Sequence, residues 1–341
     1  MIRSIVAVGA AALVAASISG AAEVPPEPIR TAMPEPHFGS VDAGPFADQS
    51  VRRHLRPLGE GAPVWADRLY RRSIRALLAL TDPRSGAMIA GERDGWDYVW
   101  PRDAAAGALA LRSAGLRAEA WQVTSFLARL DLNAAARFYP NDDPVPGRAA
   151  AGDPGGWVAR AEQAVGLEPA SPGPWRDRQD YGENITADLL GNAIASGAPA
   201  TEIKERFLTP RGLVREEGDR VLDSSAAWAV TVFPTSALRG AVRETLLRMT
   251  QESSSFGIPP IEGWTPGEVW TAPTAWSAWA LVELGETQAA DRLLAALRRA
   301  ETPHGTLPER VDASTGAPTS TTPLAWSHAF AILALRARYS G

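Results

Sequence analysis

Between residues 65 and 80 the apolar side chains Leu69, Ile74, Leu77 and Leu78 recur at helical spacing. Arg68, Arg71, Arg72 and Arg75 fall on the other face, so the pattern predicts an amphipathic helix. Two further stripes of this kind span 117–130 and 234–249. A third, over 287–299, sets Ala290, Leu293, Leu294 and Leu297 against Asp291, Arg292, Arg298 and Arg299. Between them run segments that are apolar almost all round, at 104–111, 275–284 and 324–335. A helix buried on every side beside one buried on a single side implies concentric layers, and alternating strand patterns are few and short. An all-α (α/α)6 helical barrel, an inner ring within an outer one, satisfies the pattern better than an ordinary helix bundle.

The flanks read differently. Residues 1–22 carry Arg3, an uncharged Ala/Val-rich run and small residues around Ser19-Gly20-Ala21-Ala22, the pattern of a cleaved signal peptide and hence of a secreted protein. An irregular N-terminal arm rich in Pro and Gly follows over 23–62, and the barrel is expected over 63–341. Residues 141–174 read as linker, and a helix is predicted over 186–195. With no cysteine, stability rests on core burial. A net charge of −5 argues against nucleic acid as a partner, and a monomer with no membrane contact beyond the signal segment is expected. Trp is the commonest aromatic, with 12 copies, which suggests a stacking surface for sugar rings besides core filling.

The chemistry narrows quickly. The four histidines lack metal-ligand spacing, and no nucleophile elbow, phosphate loop or dinucleotide fingerprint occurs, so no metal or cofactor is expected. What remains is carboxylates in Trp- and Pro-rich loops, each upstream of an apolar helix, at 96–103, 262–273 and 308–323. Paired carboxylates are the minimum machinery for glycoside hydrolysis, one as acid at the leaving oxygen and one to activate water or attack the anomeric carbon.

Two blocks carry a resemblance. Asp97-Tyr98-Val99-Trp100-Pro101-Arg102-Asp103 resembles the Tyr-x-Trp-Pro-Arg-Asp signature of glycoside hydrolase family 15, the glucoamylase and glucodextranase family. Leu307-Pro308-Glu309-Arg310-Val311-Asp312, followed by Pro323-Leu324-Ala325-Trp326-Ser327, resembles that family's C-terminal catalytic segment. Weaker similarity lies in Leu222-Asp223-Ser224-Ser225 and in Gly267 to Trp276, in the family's order. The resemblance implies an (α/α)6 barrel and inverting, exo-acting hydrolysis of α-linked glucans. It makes Glu309 the general base, and gives Arg102 and Asp103 the terminal sugar to hold. Trp96, Tyr98 and Trp100 would wall the innermost site, and Glu262, Glu268, Trp270 and Trp326 are further candidate contacts. His328 stands where the family has Tyr. The family's acid motif is altered: matching on Asp180-Tyr181 makes Glu183 the general acid, whereas matching on Trp175 points to Arg176 or Asp177. A glycan-binding relative without the acid, or another helical-barrel carbohydrate enzyme, stays open as the alternative.

Overall fold

A computed structural model describes residues 53–93, 95–179 and 186–340, together with Gln49 and Val51. The segment 1–22, most of the arm 23–62, and Glu183 with its neighbours Asp180 and Tyr181 lie outside the described residues. Among those described, no helix is long and apolar enough to cross a membrane.

The helices are α1 (Val64–Ala79), α2 (Pro101–Ser113), α3 (Arg117–Leu127), α4 (Pro154–Val165), α5 (Leu190–Ala195), α6 (Ala200–Phe207), α7 (Arg239–Gln251), α8 (Thr271–Glu283), α9 (Thr287–Ala300) and α10 (Ala325–Tyr339). A 3₁₀ segment, Ser224–Val230, lies between α6 and α7. Six elements pack in a closed circuit: α2 on α4, α4 on α5, α5 on the 3₁₀ segment, that segment on α8, α8 on α10, and α10 back on α2. These are the inner ring. Outside it, α1 packs on α10 and α2, α3 on α2 and α4, α6 on α5, α7 on the 3₁₀ segment and α8, and α9 on α8. The alternation of fully and partly buried helices is therefore a helical barrel. Between α4 and α5 the described residues contain no outer helix. A loop and the two-residue strands β1 (Arg178–Gln179) and β2 (Thr186–Ala187) stand there instead, and after α6 the chain turns through the antiparallel pair β3 (Leu208–Thr209) and β4 (Gly212–Leu213).

The segment that precedes each inner element donates to or accepts from the segment preceding the next. Val99 N–H donates to Phe138 O (2.8 Å), Gly152 to Gln179 (3.2 Å), Leu190 to Arg215 (2.9 Å), Ser224 to Pro260 (3.0 Å), Thr271 to Glu309 (3.1 Å) and Ala325 to Ala90 (2.7 Å). These six bonds close a belt around the N-terminal end of the inner ring. Four of the donors, Leu190, Ser224, Thr271 and Ala325, are first residues of their elements, whose N–H groups have no intrahelical partner. Loops on so rigid a frame hold side chains in fixed relation, which is why this end can carry a site.

The barrel axis is filled with indoles. Trp157 of α4, Trp228 of the 3₁₀ segment, Trp276 of α8 and Trp326 of α10 form a chain of ring contacts at 5.1, 5.5 and 4.8 Å between successive centroids. Phe330 packs against three of them. Much of the tryptophan enrichment is therefore core filling. Alanines on the inner helices leave the space these rings occupy.

Two local expectations are corrected. Residues 141–174 contain the inner helix α4, which starts with Pro154 in its first turn and ends on Gly166 at φ 85°. A Pro start and a left-handed Gly end are ordinary helix punctuation. The helix predicted over 186–195 begins only at Leu190. Thr186–Ala187 is extended because Asp188 accepts the Asp177 amide (2.8 Å) and pairs with Arg206 (2.5 Å), while Leu190 N–H goes to Arg215. Where α4 crosses α5, a Cβ on Gly156 would lie 1.8 Å from the Ala195 carbonyl oxygen. Gly156→Ala must force the two inner helices apart. We expect a loss of about 1–3 kcal/mol, read from urea denaturation, and an unchanged midpoint would show that the crossing yields.

Candidate active site

Arg102 and Asp103 open α2 behind Trp100 and Pro101, so both side chains start at the N-terminal rim of the ring. Both are buried, 3% and 1% exposed. Arg102 Nη2 lies 3.3 Å from Asp103 Oδ2, and Nη1 lies 3.3 Å from Oδ2 of Asp153. The guanidinium also sits over Trp326, 4.5 Å from the ring centroid. Asp153 occupies the N-cap position of α4 yet makes no capping bond there; its carboxylate is turned to Arg102. Two buried acids thus share one buried cation. Burial pushes Asp103 up to about 6 against the pull of Arg102, and the Asp153 charge adds to the rise. Burial likewise raises Asp153. An uncompensated buried negative charge is expensive, so desolvation outweighs a single cation divided between two carboxylates.

Glu309 lies in the segment before α10, bonded through its backbone to the start of α8. It directly precedes β6 (Arg310–Asp312), which pairs antiparallel with β5 (Glu268–Trp270) so that Trp270 faces Arg310 and Glu268 faces Asp312. Its backbone is pinned at both ends: its N–H donates to Thr321 O (3.0 Å) and its carbonyl accepts Thr271 N–H (3.1 Å). One residue earlier, the Pro308 carbonyl lies 2.5 Å from the Thr271 hydroxyl and 3.2 Å from that of Ser327. Behind this, Leu307 N–H donates to His328 Nε2 (3.1 Å), while His328 Nδ1 lies 3.0 Å from Ser73 Oγ. Burial drives the imidazole down to about 3, so it is neutral. A neutral ring that accepts at Nε2 must carry its proton on Nδ1 and donate to Ser73. His328 thus ties α10, α1 and the loop that carries Glu309 together.

The Glu309 side chain is 3% exposed. Its Oε2 accepts the Ser320 hydroxyl and lies 3.5 Å from Arg310 Nε. Among the described residues both polar contacts fall on Oε2, so Oε1 is the oxygen left to act. Burial raises Glu309 to about 6, opposed by Arg310 and Ser320 and assisted by the charge of Asp103. The charge of Asp103 acting on Glu309 links the two sequence blocks electrostatically.

Other predicted positions divide. Trp270 is buried, with Trp264 packed edge-on at 5.4 Å and Arg310 Cζ 5.8 Å from its centroid. Trp100 is buried too, with Trp96 at 5.2 Å and the guanidiniums of Arg148 and Arg137 at 5.2 and 5.8 Å. Arg137 also lies over Tyr98, at 4.8 Å. Trp96 therefore packs on Trp100, and Arg137 lies over both Trp100 and Tyr98. Glu262 does not stand with these groups as a free carboxylate; it binds Arg211 through both oxygens, at 2.9 Å for one of them. Glu268 is held by Arg310 at 3.1 Å. Asp177 sits at φ 49° and is tied by its amide to Asp188. The sequence reading missed Asp153, Ser320 and Thr271. Only the Asp-Pro at a helix start gave any signal, since the other two act through contacts distant along the chain.

No protein-family model and no curated protein matches the chain. Among solved structures, a wild-type glycosidase is similar at 18% identity over 80% of this chain and 97% of that one, with a TM-score of 0.65. Hormoconis resinae glucoamylase is similar at 12% identity over 80% and 73% of the two chains, TM-score 0.64. A bacterial glucoamylase complexed with acarbose is similar at 16% identity over 79% of this chain and 55% of that one, TM-score 0.62. The chain shares the helical-barrel fold of these proteins.

Proposed function

We propose that the chain is a secreted, inverting, exo-acting glycoside hydrolase of α-linked glucans or oligosaccharides, with Glu309 as general base and Glu183 as general acid. The observation that carries this reading is the Glu309 carboxylate, buried within the field of Asp103, with Oε2 anchored by Ser320 and Arg310 and no polar contact on Oε1 among the described residues. Glu309 Oε1 takes a proton from water as that water attacks the anomeric carbon. The C–O bond to the leaving group breaks on the opposite face, and Glu183 delivers a proton to the departing oxygen. Inversion requires roughly 6.5–9.5 Å between the two carboxyls, room for that water. Arg102 donates hydrogen bonds to hydroxyls of the terminal sugar and Asp103 accepts from them, charge-assisted bonds being the strong ones. Export rests on residues 1–22, and the role of Glu183 on the sequence match; both lie outside the described residues.

The neighbouring structures named as glycosidase and glucoamylase support this class of substrate. The test is incubation with maltose, isomaltose, maltopentaose and dextran, following products over time. Monosaccharide as the first product from any of them supports the proposal, and internal fragments or no product at all would count against it. Since the Ser320 hydroxyl bonds the ionised carboxylate, Ser320→Ala should move the acid limb of kcat/KM upward by about half a pH unit. Activity is then lost earlier as pH falls. A limb that stays in place would mean that the bond does not govern the base.

A further inference from the structure

Arg310 stands between two glutamates that play different parts. Its Nη1 meets Glu268 Oε2 at 3.1 Å, whereas its Nε is 3.5 Å from Glu309 Oε2. The first distance is a hydrogen-bonded ion pair. The second is longer than the roughly 2.7–2.9 Å of a charge-assisted bond. The β5–β6 register explains the difference. Arg310 pairs with Trp270, and Glu268 lies two residues away on the facing strand, within reach of a long side chain. The guanidinium, 5.8 Å from the Trp270 centroid, is therefore drawn away from the carboxylate next to it in sequence.

We propose that Glu268 is a positioning residue: by binding the Arg310 guanidinium it keeps that cation from closing on Glu309, so that the Glu309 carboxylate stays available to a water molecule. This assigns Glu268 a role through Arg310 rather than a contact with sugar. It rests on the reading of Glu309 as the base. A guanidinium bonded directly to a general base would neutralise it and occupy its lone pairs, making it a weaker proton acceptor. One held at 3.5 Å steadies the charge by Coulomb attraction and one long, weak hydrogen bond, and leaves the carboxylate able to accept a proton. The charged and polar groups that act on Glu309 from the surrounding elements are Arg310 on β6, Ser320 on the following loop and Asp103 on α2. Glu268 is not among them, consistent with an effect that passes through Arg310.

The test uses full-length protein with ¹³C-labelled glutamate side chains. The Glu309 carboxyl signal is assigned by its loss in Glu309→Gln and followed through a pH titration. In Glu268→Gln the freed Arg310 closes on Glu309, and the midpoint should fall by about one unit. In Arg310→Met it should rise by about one unit. The double variant should match Arg310→Met alone. Glu268→Asp, which keeps the charge on a shorter arm, should fall between wild type and Glu268→Gln and serves if the Gln variant folds poorly. An unmoved midpoint in Glu268→Gln, or an equal fall in the Arg310→Met background, would overturn the proposal, the latter because Glu268 would then act on Glu309 directly. The titration needs no turnover, so it decides this point even if no glucan is hydrolysed. Where hydrolysis is measured, kcat should fall in Glu268→Gln with KM unchanged; a rise in KM alone would instead mark Glu268 as a substrate contact.

Discussion

Glu309→Gln should lower kcat by about 10²- to 10⁴-fold, the range that a positioned general base contributes, while leaving the fold intact. Glutamine keeps the volume of the side chain, and its carbonyl oxygen can still accept the Ser320 hydroxyl. It cannot take a proton from water. The change should not weaken the protein, and the sign follows from linkage. The folded-state value of Glu309 is raised from 4.5 to about 6, so the folded chain binds the proton more readily than the unfolded chain. Stability therefore falls as pH rises through that window, and above it the ionised group is a liability of up to about 2 kcal/mol. At pH 7.5 the Gln variant should melt at or above the wild-type temperature, with activity nearly gone. Retained activity would remove Glu309 from the mechanism. A collapse of the melting temperature would show that its charge is structural.

Arg102→Met should produce the largest loss of stability, about 3–5 kcal/mol at neutral pH, because it strands two buried carboxylates without their cation. Arg102 Nη1 and Nη2 face Asp153 and Asp103 respectively, and its flat face lies on Trp326. Methionine can replace the packing but not the charge. The loss should depend on pH in a stated direction. Both aspartates have folded-state values above 3.8, so the folded chain already holds extra protons just above that pH. Without Arg102 their values climb further, and stability then falls over a wider span as pH rises. Urea denaturation should show a small deficit at pH 4.5 and a large one at pH 8. An equal deficit at both would mean that packing on Trp326, rather than charge, is what Arg102 supplies.

The barrel was legible because its signal is local. A stripe such as Ala290, Leu293, Leu294 and Leu297 records burial on one face, and all four are buried in α9. The all-round apolar run of α8 records burial on every face. The elements missed are those whose conformation depends on partners. The 3₁₀ segment is held by the belt bond from Ser224 to Pro260 and by Asp223 accepting Ser225 N–H at 2.7 Å. The stretch before α5 is extended because Asp188 binds distant groups, a tertiary effect that local propensity cannot register. At the site, Arg102, Asp103 and Glu309 could be named from two ordered motifs. Asp153 could not, since an Asp-Pro signals a helix start but not that the carboxylate turns to Arg102, which appears only when α4 packs on α2. Ser320 lies in a run of Ser and Thr with nothing to mark it until the chain folds back over Glu309. The arginines over Trp100 and Tyr98 likewise come from a loop with no periodic pattern.

A Glu309 that activates a water on the face opposite the leaving group must give an inverted product. ¹H NMR of the first minutes of hydrolysis of an α-linked disaccharide tests it most directly, by reading the anomeric proton of the released sugar before mutarotation. Inversion predicts that the β-anomer appears first and that Glu309→Gln suppresses it. Release of the α-anomer would contradict the account, since retention requires a carboxylate that bonds to the sugar rather than one that serves a water.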